Sequence, residues 1–393
     1  MKPMVSRKRK HFHHIVRPRA HTHPTFVSDT YRLQPSPCTG RMLGGRYEIL
    51  GLLDRGGSSE VYLAKDALGE LPVIVKVLTE VAAADTQHRE RFIVGARLTM
   101  ALDHPAIVRV LSVETPFGAP PYMIMEALQG ESLAQYLDRE NTMSQSMTLA
   151  LARQIASGLV AAHGAGIIHR DIKPANLFLL GPQGSPSGIK IIDFGLSKDL
   201  FSIVSGPASV NLVLGTAQYM APEQVLADPI DGRTDIYAFG IVLFGMLTGV
   251  LPFDLNLGPD LFCHQLFSPA PPPSWLLEDI DCRLEQLILR CVRKHPDNRF
   301  DSMQSLLDEL IAIESHPLAR SNEVSVPLLR RHPDLYVPQN SEGRGVAQNL
   351  ARFSRSGAAT MHIPQLSDGL DDLLDVAEVE PMRERSGTRL SRR

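Results

Sequence analysis

Cysteine is sparse and scattered. The 393 residues carry four, Cys38, Cys263, Cys282 and Cys291, and none has the short paired spacing of a zinc site. No secretory signal accompanies them, so they read as reduced thiols in a cytoplasmic protein rather than as a disulfide framework. Charge of one sign is also lacking: the formal net charge is -3, which argues against wholesale nucleic-acid binding. The N-terminus is basic, but no apolar run follows it, which excludes a signal peptide. Long hydrophobic runs are missing too. The most apolar stretch, Ile236 to Phe253, is interrupted by Gly240, Gly245 and Gly249 and carries Pro252 at its end. A membrane span needs roughly 20 apolar residues, and the motifs flanking this stretch place it in the core of a soluble lobe. No internal repeat is visible.

What is present is a globular composition, 44% apolar, in a chain long enough for one large domain or two to three small ones. Residues 1–44 stand apart. Before residue 41, Lys2, Arg7, Lys8, Arg9, Lys10, Arg17, Arg19 and Arg32 face only Asp29, with His11, His13, His14, His21 and His23 among them. Without apolar periodicity this stretch reads as a disordered, solvated arm and not as a metal or nucleic-acid site. From Tyr47 the pattern changes. The runs from Tyr47 to Leu53 and Glu60 to Ala64 are strand-like and flank Asp54-Arg-Gly-Gly-Ser-Ser, a hairpin; Val73 to Leu78 is a third strand. Thr86 to Leu102 predicts a helix, and Ile107 to Val113 and Tyr122 to Met125 two more strands. After Gly130 the periodicity is helical, over Met147 to His163, Asp235 to Thr248, Arg283 to Arg293 and Gln304 to Ile313. The order is α+β, a small sheet-rich lobe followed by a larger helical one. Beyond about residue 315 the chain turns polar and reads as a largely disordered tail, with one acidic amphipathic piece from Leu370 to Val379.

The strongest local signal runs from His169 to Asn176, His-Arg-Asp-Ile-Lys-Pro-Ala-Asn. Phosphoryl transfer needs a carboxylate that orients the attacking hydroxyl, and oxygen ligands that hold Mg²⁺ on a triphosphate. Asp193-Phe-Gly follows, behind the strand-like Ile189-Lys-Ile-Ile; then come Gly215-Thr216, Ala221-Pro222-Glu223, Asp235 in Arg233-Thr-Asp, and Arg299 in His295-Pro-Asp-Asn-Arg. In that order and spacing the chain resembles a bacterial-type, Hanks-type serine/threonine protein kinase.

The resemblance implies a two-lobed protein-kinase-like fold over residues 45–315, with a β-rich N-lobe (45–128), a helical C-lobe (129–315) and flanking segments 1–44 and 316–393. It implies ATP with Mg²⁺ (or Mn²⁺), and protein substrates with serine or threonine acceptors. Asp171 takes the role of catalytic carboxylate, Lys173 offsets charge on the γ-phosphate, and Asn176 and Asp193 are metal ligands. Lys76 contacts the α- and β-phosphates. Asp54, Gly56 and Gly57 lie in the glycine-rich loop, Val61 covers the adenine, Met125 is the gatekeeper, Glu126 and Leu128 offer backbone groups, and Phe178 forms part of the floor. Thr216 belongs to the substrate platform. Ser202, Ser205 and Ser209 are candidate phosphosites, a phosphate there docking against Arg170. A homodimer is one candidate route to activation.

Three departures from the family pattern involve four positions. Asp54 and Ser59 stand where glycines are expected, Ile74 stands where an alanine is expected, and the glutamate partner of Lys76 is replaced by Gly95. Glu90, five residues earlier, lies about 140° round the helix and cannot substitute. The alternative these losses support is a pseudokinase scaffold that binds partners without phosphotransfer.

Overall fold

A computed structural model describes residues 31–69, 71–194, 217–253 and 259–315. A six-stranded antiparallel sheet comes first: β1 (Met42–Leu43), β2 (Tyr47–Arg55), β3 (Ser59–Asp66), β4 (Pro72–Leu78), β5 (Val110–Glu114) and β6 (Tyr122–Glu126), in the order β1-β2-β3-β4-β6-β5. Its strands are rich in Val, Ile, Leu and Tyr, with buried residues such as Tyr47, Ile49 and Leu52 on one strand facing Tyr62, Ala64, Val73 and Val75 on the next two. The β1–β2 turn needs Gly44 and Gly45, whose φ values of 58° and 69° suit glycine.

Two helices cross this sheet. In α1 (Glu80–Ala84) the Thr79 side chain caps the first turn, and in α2 (Thr86–Met100) Asp85 accepts from the Gln87 and His88 amides. The inward face of α2 carries Phe92, Gly95, Ala96 and Thr99 at helical spacing. The strand expected from Ile107 begins at Val110. Ile107 instead forms a parallel bridge to Ile191, while Ile191 donates to Ala106 O and Val108 donates to Ile191 O. That short ladder ties the sheet lobe to the helical lobe.

The second lobe starts with β7 (Gly130–Ser132), α3 (Leu133–Glu140) and α4 (Gln145–Gly164). Ser132 and Gln135 form a reciprocal capping box on α3. Then follow β8 (Leu177–Leu180) and β9 (Gly188–Ile191), which with β7 make a three-stranded sheet. The helices α5 (Pro222–Leu226), α6 (Arg233–Thr248), α7 (Pro259–Phe267), α8 (Cys282–Cys291) and α9 (Met303–Ser315) complete it. The apolar stretch that opened the membrane question is mostly α6, buried all round from Thr234 to Leu247 and ended by Gly249 at φ 73°. Among the described residues no helix is long and apolar enough to cross a membrane.

Described structure begins ahead of the domain start read at residue 45. From Tyr31 the chain is packed on the free edge of the sheet: Gln34 and Leu52 exchange backbone hydrogen bonds of 2.8 and 3.3 Å, and Gly40 donates to Ile49 O at 2.8 Å. Edge pairing is made by the backbone, so a polar, proline-containing composition does not forbid it. Residues 1–30 and the tail from 316 lie outside the described residues.

One core group carries a pH consequence. Lys294 donates to the carbonyls of His264 and Gln265 and lies 3.8 Å from the centroid of the Phe253 ring. Burial, with Arg299 nearby adding repulsion, pushes its pKa down to about 7. The folded state therefore binds fewer protons than the unfolded state between about pH 7 and the ordinary lysine value. Stability from this group is present at high pH and lost as pH falls through about 7. Urea midpoints measured at pH 6, 7.5 and 9 should rise across the series, and the rise should flatten in Lys294→Met; an equal rise in both proteins would assign it to other groups.

Candidate active site

The segment from Gly164 to Leu177 leaves α4, makes no helix until the single 3₁₀ turn Pro174–Asn176, and enters β8. Asp235, in the first turn of α6 and fully buried, holds it from below. One carboxylate oxygen accepts from the Arg170 amide at 2.7 Å; the other accepts from the His169 amide and from His163 Nε2, both at 2.8 Å. His169 accepts from the Asp171 amide through Nδ1, which fixes Nε2 as the protonated nitrogen, and Nε2 donates to Ile192 O at 3.0 Å. Its ring meets Phe194 edge-on at 4.7 Å. Arg170 has φ 66°, a costly conformation for a side-chain-bearing residue. Gln224 of α5 donates to its carbonyl at 3.0 Å, so the bend is braced from two sides.

On this braced loop Asp171, Lys173 and Asn176 converge. Lys173 Nζ donates to Asp171 Oδ2 at 2.8 Å, and Asn176 Nδ2 donates to the same oxygen at 3.0 Å and to the Asp171 carbonyl at 2.8 Å. With its nitrogen so engaged, the Asn176 amide turns its oxygen the other way. Asp171 Oδ1 is buried and has no hydrogen-bond partner among the described residues. A cavity of about 10 Å³ is lined by Arg170, Asp171, Ile172, Tyr219, Met220 and Gln224.

Asp193 reaches the same region from the end of β9. Its φ of 64° bends the chain so that Oδ1 meets Lys76 Nζ at 2.7 Å. Burial acts to raise the Asp193 pKa, but Lys76, His169 and Lys173 outweigh it and hold the carboxyl below its ordinary value. Lys76 is 6% exposed on β4, directly opposite Val61 on β3. Position 95 lies on the inward face of α2 and contributes no carboxylate, and Glu90 is exposed. The lysine's ion pair is accordingly with Asp193.

Apolar walls close the other end. Met125 on β6 stands opposite Ile74 on β4, and Ile74 and Phe178 pack against the cluster that holds Met125 and Leu128. The Glu126 carboxylate is turned away, accepting from Lys190 Nζ at 2.7 Å and from the Arg109 amide at 2.8 Å, and its own amide donates to Arg109 O at 3.0 Å. In the hairpin between β2 and β3, Asp54 and Arg55 are exposed, Arg55 pairs with Glu60 at 2.8 Å, and Gly56 donates to Ser59 O at 2.8 Å. A side chain at Gly57 would meet nothing within 4 Å, so the hairpin tip is uncrowded.

Thr216 and Ser202, Ser205 and Ser209 lie outside the described residues. Two contributors escaped the sequence reading. Gln224 sits beside the Ala-Pro-Glu motif without belonging to it, and Tyr31, whose hydroxyl donates to the Leu128 carbonyl 97 residues away, lies in a stretch with no local pattern.

Comparison with known proteins agrees with this geometry. The family model described as "Protein kinase domain" matches residues 47–311. The chain is 32% identical over 305 residues to the serine/threonine-protein kinase pkn3 of Myxococcus xanthus, covering 74% of this chain and 56% of that protein. It is 33% identical over 276 residues to the serine/threonine-protein kinase PknB of Mycobacterium tuberculosis, covering 70% of this chain and 44% of that one. The chain thus spans about half the length of the curated relatives it matches. Among solved structures, the PknI kinase domain of Mycobacterium tuberculosis superposes with a TM-score of 0.55 at 26% identity, over 70% of this chain and 99% of that one.

Proposed function

Because the chain belongs to the protein kinase domain family, we propose that it is a serine/threonine kinase, transferring the γ-phosphate of ATP to hydroxyls of protein substrates. The observation that carries this reading is the Asp171 carboxylate. Its Oδ2 is fixed by Lys173 and Asn176, while its buried Oδ1 has no hydrogen-bond partner among the described residues. A buried unpartnered carboxylate oxygen is costly, and such atoms cluster where a substrate supplies the missing bond. A substrate hydroxyl donating to Oδ1 would have its lone pair aimed at phosphorus. As the new oxygen–phosphorus bond forms and the bond to the β-phosphate oxygen breaks, the proton passes to Oδ1 and ADP departs. Lys173 offsets charge on the phosphoryl group in flight, and Lys76 offsets charge on the α- and β-phosphates.

The donor set fits a divalent magnesium ion. Asp193 and Asn176 offer hard oxygens, and Mg²⁺ characteristically takes one or two protein ligands beside phosphate oxygens and water. When bound, that ion neutralises phosphate charge and fixes the triphosphate's orientation. The Lys76–Asp193 ion pair is the feature that favours the scaffold alternative, since Asp193 must share itself between the lysine and the metal.

Labelled ATP supplied to the full chain with a generic basic substrate, in Mg²⁺ and in Mn²⁺, distinguishes the two. Transfer that disappears in Asp193→Ala is the expected result. Label no higher than the variant's in either metal would leave the scaffold as the function.

A further inference from the structure

The segment ahead of the catalytic lobe reaches the nucleotide cleft. It lies along β2, the strand that runs into the phosphate-covering hairpin, through the two-way Gln34–Leu52 bridge. Leu33 fills the space over Gly51, where an added Cβ would come within 3.0 Å of the Leu33 side chain. The strap is therefore keyed to this strand by shape as well as by backbone bonds. Beyond Leu33 the chain leaves the strand edge, and the Tyr31 hydroxyl donates to the carbonyl of Leu128. Leu128 sits on the connection between the lobes, in the cluster that holds Met125 and is flanked by Ile74 and Phe178. One half-buried phenol thus joins the neighbour of the roof strand to the rear wall of the same cleft.

We infer that Tyr31 is a positioning residue for the nucleotide, closing the outer edge of the base pocket and holding roof strand and connecting segment in register. The inference rests on the nucleotide-site reading above. A plug would have to use the groups a base needs. Tyr31 takes the Leu128 carbonyl and not its amide, and its ring is anchored from the strand edge, outside the hairpin that covers the phosphates. The expected consequence is tighter nucleotide binding with little change in the chemical step, because nothing in the strap approaches Asp171.

The test is titration of the full chain with a fluorescent N-methylanthraniloyl ADP and Mg²⁺, beside ATP-dependent transfer kinetics. Tyr31→Ala should weaken binding at least fivefold and raise KM for ATP in parallel, with kcat within twofold. Tyr31→Phe, which keeps the ring and loses the donor, should weaken it about threefold, the worth of one net hydrogen bond. Gln34→Ala, whose contacts run through the backbone, should leave both unchanged. Should Tyr31→Ala fail to fold, Tyr31→Phe carries the test alone. Wild-type binding with variants equal or tighter overturns the inference, a tighter variant marking the tyrosine as a plug. A wild-type chain that binds no nucleotide overturns the nucleotide-site reading, and this inference with it.

Discussion

Asp171→Asn should lower phosphoryl transfer by about 10²- to 10⁴-fold, the usual worth of a positioned general base. The substitution keeps the shape of the side chain and removes what the chemistry needs, a carboxylate that can take a proton. It also places an amide where Lys173 and Asn176 both donate to Oδ2 at 2.8 and 3.0 Å, so the triad's internal bonding is partly lost. Stability should change little by comparison. The variant loses one ion pair to a partly exposed lysine, but it also loses a buried charged oxygen that had no hydrogen-bond partner among the described residues. Nucleotide affinity should stay within twofold, because Asp171 faces the acceptor side and the small cavity bounded by Tyr219 and Met220. Kinetics at saturating ATP together with a thermal melt read both quantities. A variant that still transfers within tenfold of the parent would take Asp171 out of the mechanism.

Much of this arrangement was legible in the sequence, because the catalytic loop is specified locally. His169, Arg170, Asp171, Lys173 and Asn176 fall within eight residues, and one buried acid, Asp235, fixes the backbone through which they act. The absence at position 95 was legible through the family resemblance, since counting back from His104-Pro105 puts the expected glutamate at Gly95, and helical geometry sets Glu90 about 140° away from it. What escaped was decided by long-range contact. Nothing near Lys76 in sequence says that its ammonium would settle on Asp193, 117 residues on. Tyr31 and its neighbours were assigned to a disordered arm on composition. Composition measures how much core a segment can build, and it is blind to a strand edge already offering hydrogen bonds. The Ile107 strand start was missed likewise, since Ile107 bridges to Ile191 in the other lobe.

The lysine's choice of partner bears on how the site is controlled. In the absence of a helix carboxylate, Lys76 is positioned by Asp193, a residue that the proposed mechanism also requires as a metal ligand. Bringing nucleotide and metal into the cleft then means exchanging that pair for contacts to phosphate, a step whose electrostatic balance depends on how firmly the two lobes are held together. The Ile107–Ile191 bridge and the Tyr31–Leu128 hydrogen bond both act at that junction or at its edge.

Arg299→Met should be the most damaging single change to stability, costing about 3 to 5 kcal/mol, the range for stranding one member of a buried ion pair. Arg299 is 1% exposed. Its two terminal nitrogens donate to the two Glu223 oxygens at 2.7 and 2.8 Å, and the same group donates to the carbonyls of Arg233, Arg293 and Lys294. Methionine fills much of the space but leaves Glu223 without its charged partner, keeping the Thr234 hydroxyl at 2.8 Å, and leaves three carbonyls without the Arg299 donor. For a domain of this size that loss lowers Tm by on the order of 10 °C. Acid should shrink the deficit, and the signs differ between the two proteins. In the wild type, burial raises the Glu223 pKa but Arg299 outweighs it, so the net value is below the ordinary one. Stability from this group is then present above the unfolded value and lost as pH falls through the folded one. Without Arg299 the burial outweighs the hydrogen bonds left from Thr234 and the backbone, the folded value moves above the unfolded one, and the variant recovers stability as pH falls through it. Urea melts of both proteins from pH 7 down to pH 4 should therefore converge, and curves that stay parallel would mean that Glu223 is not the stranded charge. The damage should also reach the active loop, because Gln224, next in the chain, holds the Arg170 carbonyl beside Asp171. Transfer by the folded fraction of Arg299→Met should fall along with stability, which would make this buried pair a structural support for the catalytic carboxylate.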